Sequence, residues 1–211
     1  MNKDPGIMCF RHCSTKSVFC KQIPTTCPAC SSQMQNFITD PFRIPYPLVN
    51  AAHSPTSIVI RPSCGSFLDD YDATHDLHVG IVDSNGSVVE FDKTGLIVND
   101  VARWIDCVAF KVVPIAWTIR WDETLCLMSR DVKWKSINYD EIHMNCFNFV
   151  LEFFNNLRYA DLRFTNKEDL CERLILSKIQ TAIRYSSLYR VLKNQEYLIS
   201  DYIALPTNNI V

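Results

Sequence analysis

Charge of one sign is missing from this chain: 21 Lys and Arg stand against 23 Asp and Glu, a formal net charge of −2. Without a basic block, a surface that holds nucleic acid by neutralising phosphates is not expected. Long apolar runs are missing too. No window approaches the roughly 18 consecutive apolar residues of a membrane span. The opening residues, Met1-Asn2-Lys3-Asp4-Pro5-Gly6, lack the apolar stretch of a secretory leader. The expected compartment is therefore the cytosol or the nucleus. Internal repeats and low-complexity tracts are also absent from the sequence.

What is present is a chain of 211 residues that is 47% hydrophobic and 21% charged, enough to bury a proper core in one large domain, or one domain with an appendage. Ten cysteines would suit a small secreted disulfide scaffold, but a chain this long and apolar needs none. In a reducing compartment they read as metal ligands, small core residues or a nucleophile. Cys9, Cys13, Cys20, Cys27 and Cys30 crowd the first thirty residues.

That asymmetry divides the chain. Residues 1–35 are Cys-rich and short of aliphatics, so a conventional core is not expected there and a zinc knuckle is. Residues 36–54 read as a connector broken by Pro41, Pro45 and Pro47. Residues 55–200 carry the main domain, and 201–211 a frayed tail. Ile58-Val59-Ile60, Leu77 to Val82, Val88 to Phe91 and Cys107 to Val113 read as strands. Asn85-Gly86 predicts a two-residue type I′ hairpin. That register sets Val82 against Val89, Gly80 against Phe91 and His78 against Lys93, with Glu90 and Asp92 on the face opposite His78.

Pro114 opens a helix to about Met128, with Trp117, Trp121, Leu125 and Met128 as its apolar stripe. A second helix begins near Asn145, its stripe running through Cys146, Phe149, Val150, Phe153, Phe154 and Leu157. Thr165 and Glu168 form a capping-box signature, and helical composition continues to about Asn194, with a break. Strands in a block, then helices, predict an α+β domain with a mainly antiparallel sheet.

Two candidate sites follow. Cys146 opens its helix, where free N–H groups and the helix dipole favour an anion, and an imidazole on a strand, His78, would favour it further. Such a pair attacks acyl groups, with Asn145 as an oxyanion donor. A cysteine that opens an apolar stripe is equally a small core residue. At the other end, Cys27-Pro28-Ala29-Cys30 has the spacing of a zinc knuckle. Its second half is either Cys9 with His12, at the same spacing, or His12 with Cys13. The acidic stretch from Asp69 to Asp76 reads as a solvated loop.

Leu77-His78-Val79-Gly80-Ile81-Val82 and Asn145-Cys146-Phe147-Asn148-Phe149 resemble the permuted papain fold, in which the histidine strand precedes the cysteine helix. Desumoylating isopeptidases and lecithin:retinol-acyltransferase-like proteins are similar at these residues. Met144 stands where the isopeptidase motif has His, with His143 one residue earlier. Over residues 10–200 the chain resembles the makorin opposite-strand protein family, through Phe10-Arg11-His12-Cys13, Cys27-Pro28-Ala29-Cys30, Arg61-Pro62, Tyr71-Asp72, Asp76 to Ile81, Asn85-Gly86, Trp121-Asp122 and Asn145-Cys146. The resemblance implies the fold and the placing of His78 and Cys146, and no substrate. With no carboxylate placed to orient His78, the sequence favours a non-catalytic interaction protein. The alternative is a thiol acyl-transfer enzyme acting on an isopeptide or lipid ester. A protein partner or modified-protein substrate is expected, because no membrane-facing apolar segment stands out.

Overall fold

A computed structural model describes residues 4–72, 74–160 and 162–201. Most of the tail expected to fray, from 202 onward, lies outside the described residues. The architecture is α+β, with two antiparallel sheets and helices. The strands are β1 (Met8–Arg11), β2 (Ser17–Cys20), β3 (Thr39–Arg43), β4 (Ser57–Pro62), β5 (Leu77–Val82), β6 (Val88–Asp92), β7 (Gly95–Val98) and β8 (Val108–Phe110). After them come α1 (Thr118–Ser129), α2 (Cys146–Leu157), α3 (Lys167–Leu170), α4 (Leu176–Asn194) and a last strand, β9 (Tyr197–Ser200). The chain forms two compact units: Leu48–Ile183, and Met1–Pro47 with Arg184–Val211.

In the central unit the sheet order is β7-β6-β5-β4-β8. Ile58, Ile60, Val79, Ile81, Val89 and Phe91 are buried in it. The α2 stripe read from the sequence is buried throughout. Its aromatics interlock edge to face with their neighbours: Phe149 with Trp134 at 4.9 Å and Phe153 with Trp121 at 4.6 Å between centroids. Trp121 also donates its indole N–H to the Val82 carbonyl at 2.9 Å, which ties α1 to β5. The break expected before Asn194 is a π-helical turn over Cys171–Ile175.

The β5–β6 hairpin differs from its predicted register, and the difference has a local cause. Val82 pairs with Val88, Ile81 with Val89 and Gly80 with Glu90. The Asp83 carboxylate accepts the N–H groups of Asn85 and Ser87 at 2.9 and 2.8 Å, and Asp83 N–H donates to the Ser87 carbonyl at 2.9 Å. This closes a three-residue loop in which Gly86, and not Asn85, takes a positive φ, 86°. A type I′ turn needs positive φ at both positions. A one-residue change of register moves every side chain to the other face. Glu90 therefore shares its face with Gly80 and His78. Only glycine fits the turn, since a Cβ on Gly86 would sit 2.6 Å from the Ala52 carbonyl oxygen.

Gly80 admits a close neighbour. A Cβ there would lie 3.0 Å from Val88 Cγ1 and 3.1 Å from the Trp104 ring, both fully packed. Gly80→Ala is expected to cost about 1–3 kcal/mol by overpacking, read from urea unfolding. An unchanged midpoint would mean that the indole slides aside freely.

The second unit corrects one expectation. Its sheet, β3-β1-β2-β9, lies partly in the Cys-rich segment for which no core was predicted. Aromatics and thiols replace the missing aliphatics: Phe10, Val18 and Cys20 are buried, with Met8, Met34, Phe37 and Ile199 packed against them. A buried thiol is a serviceable small hydrophobe. Distant ends of the chain complete the unit, because β9 pairs with β2 and the Tyr185 hydroxyl donates to Asp4 at 2.8 Å.

Candidate active site and metal cluster

His78 lies on β5, one pleat beyond the last Gly80–Glu90 pair of the β5–β6 ladder. Its Nε2 is 2.6 Å from Glu90 Oε2. The Cys146 thiol also acts on the ring, through a side-chain hydrogen bond and its charge. Burial works against a charged ring here, but hydrogen bonds and charge from Cys146 and Glu90 outweigh it, and the pKa is pushed up to about 9. Burial likewise opposes the Glu90 carboxylate, yet the hydrogen bond from His78 and those from Trp104 and Arg103 hold its pKa below the usual range. Glu90 Oε1 accepts from Trp104 Nε1 at 3.1 Å and Arg103 Nη1 at 3.4 Å. The thiol and the ring are both nearly buried, at 4% and 6% exposure.

Cys146 is the first residue of α2, and Asn145 is its N-cap. The Asn145 side-chain oxygen accepts from the N–H groups of Phe147 and Asn148, at 3.0 and 3.4 Å. Its amide donates to the Glu141 carbonyl at 2.7 Å, and its own N–H donates to the Asn148 side chain at 3.1 Å. The carbonyl oxygen, one amide N–H and the backbone N–H of Asn145 are thus engaged in shaping the helix start, and its second amide N–H takes no part in these bonds. The first-turn donor that the cap leaves is the N–H of Cys146 itself. His143 is exposed and pairs with Asp140 at 2.9 Å, while Met144 bridges back to Asp140.

Of the proposed metal ligands, His12, Cys13, Cys27 and Cys30 present their ligand atoms within 4.8 Å of one another, a cluster that could hold a metal. His12 and Cys13 follow β1, and Cys27 and Cys30 lie on a tight turn closed by Ser31 N–H to the Cys27 carbonyl and Cys27 N–H to the Ser32 carbonyl, each at 2.8 Å. Hydrogen bonds from Ser32 pull the Cys30 pKa down to about 6, while the hydrogen bond shared with Cys30 pushes that of Cys13 up to about 11, so Cys30 is the readiest thiolate of the cluster. Cys9 is elsewhere: it is buried in β1, paired with Phe19 and Phe42, and burial pushes its pKa up to about 11. The open choice between Cys9 and Cys13 falls on Cys13, because strand alternation buries the Cys9 side chain on the face of β1 opposite Met8 and Phe10, outside the cluster.

A family profile described as DUF4796 C-terminal matches residues 41–192, and one described as DUF4796 N-terminal matches residues 5–34. The chain belongs to the DUF4796 family. It is also 27% identical over 198 residues to human MKRN2 opposite strand protein, covering 91% of this chain and 88% of that protein. No solved structure matches. No described helix of this DUF4796 chain is long and apolar enough to cross a membrane.

Sequence reasoning missed Glu90, Trp104 and Arg61 at the thiol site. The Asp83 side chain two residues before Asn85 was the signal for Glu90, since an Asp at the start of a type I turn competes with the I′ reading. Trp104 and Arg61 carry no local signal. The raised His78 pKa has a consequence for stability. In the unfolded chain the ring loses its proton near pH 6.5. Its contribution is thus complete below that pH and is lost as pH rises through about 9. Wild type should lose about 2–3 kcal/mol relative to His78→Gln between pH 6 and 9.5, by urea unfolding at both pH values. A constant difference would show that the ring is not charged in the folded protein.

Proposed function

We propose that Cys146, His78 and Glu90 form a nucleophilic site for acyl transfer, built on a permuted papain-like arrangement. The single observation that carries this reading is the 2.6 Å contact between Glu90 and His78. Two features of the sequence favoured a binding protein, Met144 in the place of the isopeptidase His and the lack of a carboxylate to orient the ring, and Glu90 answers the second. In this mechanism the Cys146 thiolate adds to a carbonyl carbon, and the carbonyl electron pair moves to oxygen, facing the Cys146 N–H at the positive end of α2. As the carbonyl re-forms, protonated His78 gives its proton to the departing amine or alkoxide, leaving a thioester. Water then adds as His78 takes its proton, and the thiolate leaves as the acid is released. Glu90 holds the ring and balances its charge. With no described helix apolar enough for a bilayer, an amide or ester on a protein fits this site better than a lipid ester. Limiting iodoacetamide at pH 6 tests the reading: Cys146 should be labelled ahead of the exposed Cys64 and Cys126. Labelling that follows exposure alone would favour a binding protein that has kept the fold.

For the cluster in the other unit we propose a structural zinc ion. A tetrahedral zinc with sulfur at about 2.3 Å and nitrogen at about 2.0–2.1 Å has S···S edges of about 3.8 Å and S···N edges of about 3.5 Å. Cys13 Sγ to Cys27 Sγ is 3.9 Å, and Cys30 Sγ to His12 Nδ1 is 3.5 Å. Three thiolates and an imidazole fill all four positions, so the ion has none left for chemistry. Metal analysis of the purified protein should find about one zinc per chain.

A further inference from the structure

Arg61 stands opposite His78 in the β4–β5 ladder, and a buried cation is costly unless it is paired. Its guanidinium lies over the Trp104 ring, 5.0 Å from the centroid. Nη1 donates to the carbonyls of Pro62 and Ser63 at 3.0 and 3.4 Å, and Nη2 is 3.7 Å from Glu90 Oε2. Nε is shut away from solvent and has no partner among the described residues. An orphaned buried donor costs about 1–3 kcal/mol, so its retention calls for a reason. Burial works against the charged guanidinium, while Glu90 first, then Asp92 and Cys146, act in its favour. Cys146 acts electrostatically on His78, Tyr139 and Cys171 as well. Around Glu90 stand His78, Trp104 and Arg103, with Asp92 also bound by Arg103.

We infer that Arg61 is a second, permanent cation of the thiol site: a positioning residue that fixes Glu90 and favours negative charge at Cys146, so that the site prefers acyl groups or reagents carrying an anion. The inference rests on the nucleophilic reading of Cys146. The two cations differ in one testable respect, because a guanidinium keeps its proton at pH values where His78 has lost its own.

The experiment compares two alkylating agents of nearly the same size, anionic iodoacetate and neutral iodoacetamide, with mass-spectrometric readout of each cysteine. At pH 6 the iodoacetate-to-iodoacetamide rate ratio at Cys146 should be about tenfold higher than at exposed Cys126 of the same chain. Arg61→Met should bring that ratio to within about twofold of Cys126 while iodoacetamide still labels Cys146, and Arg61→Lys should restore most of it. An unchanged ratio in Arg61→Met overturns the inference. If that variant does not fold, the wild-type ratio at pH 10 decides. Its survival supports Arg61, and its collapse to the Cys126 value assigns the whole effect to His78. Failure of the nucleophilic reading is a separate result, since neutral iodoacetamide would then show no preference for Cys146 at pH 6.

Discussion

His78→Ala should slow alkylation of Cys146 by iodoacetamide at pH 6 by about 100-fold, and leave Cys126 in the same sample unchanged. An unassisted thiol is about 0.3% thiolate at that pH, so an imidazolium partner has more than two decades of reactivity to confer. General acid–base assistance by a positioned histidine is worth about the same range in turnover. Glu90→Gln should fall between the two proteins, near tenfold, because the amide still accepts a hydrogen bond from His78 but no longer balances its charge. The order matters more than either number. If Glu90→Gln and His78→Ala slow the reaction equally, the carboxylate is as essential as the ring. If neither does, the 2.6 Å contact is a buried structural pair, of the kind that perturbs pKa values without chemistry, and the protein is a binding module. Circular dichroism of each variant separates a lost proton carrier from a lost fold, since Glu90 is almost wholly buried.

The elements that carry one strong periodicity were legible. The α2 stripe from Cys146 to Leu157 is wholly buried, and β5 spans the residues expected of it. Legibility failed where a single side chain chose between two backbone solutions. Asp83 selected a three-residue loop over the Asn85-Gly86 turn, and that one choice hid Glu90 from His78. Asn166, and not Thr165, caps α3, its side chain accepting from Asp169 N–H at 2.8 Å. The first turn after Pro114 is 3-10, and α1 begins at Thr118, so Trp117 is half-buried against Tyr159 and not part of a continuous α-helical stripe. The sheet of the second unit was illegible for a different reason. Its β2–β9 pairing joins residues nearly two hundred positions apart, and the Cys- and aromatic-rich β1 and β2 lack the β-branched alternation by which strands are recognised. The same distance effect hides Arg61 and Trp104: no local pattern announces that they meet Glu90.

Cys27→Ser/Cys30→Ser should remove zinc from the protein entirely and unfold the segment from β1 to β3 at temperatures where wild type is intact. In the proposed site the two cysteines would supply half of the ligands, and the turn they sit on is short, with Cys27 buried and Cys30 exposed. Structural zinc contributes about 10–16 kcal/mol to the folding of isolated zinc-finger peptides. Here the Phe10, Val18 and Cys20 core and the β2–β9 ladder supply part of the order, so the loss should be smaller than that, and visible as a separate low-temperature transition. Cys9→Ser is the decisive control. Cys9 has the knuckle-like spacing to His12, yet it is paired within β1, so its replacement should lower stability and leave the zinc content at about one per chain. Cys13→Ser should do the reverse, costing metal first. Cobalt(II) substitution adds a readout free of stability effects, since three thiolates around a tetrahedral ion give intense visible absorption and an octahedral water-rich site does not. Retention of zinc in Cys13→Ser with its loss in Cys9→Ser would put the ligands on the alternative spacing and contradict the observed β1 pairing.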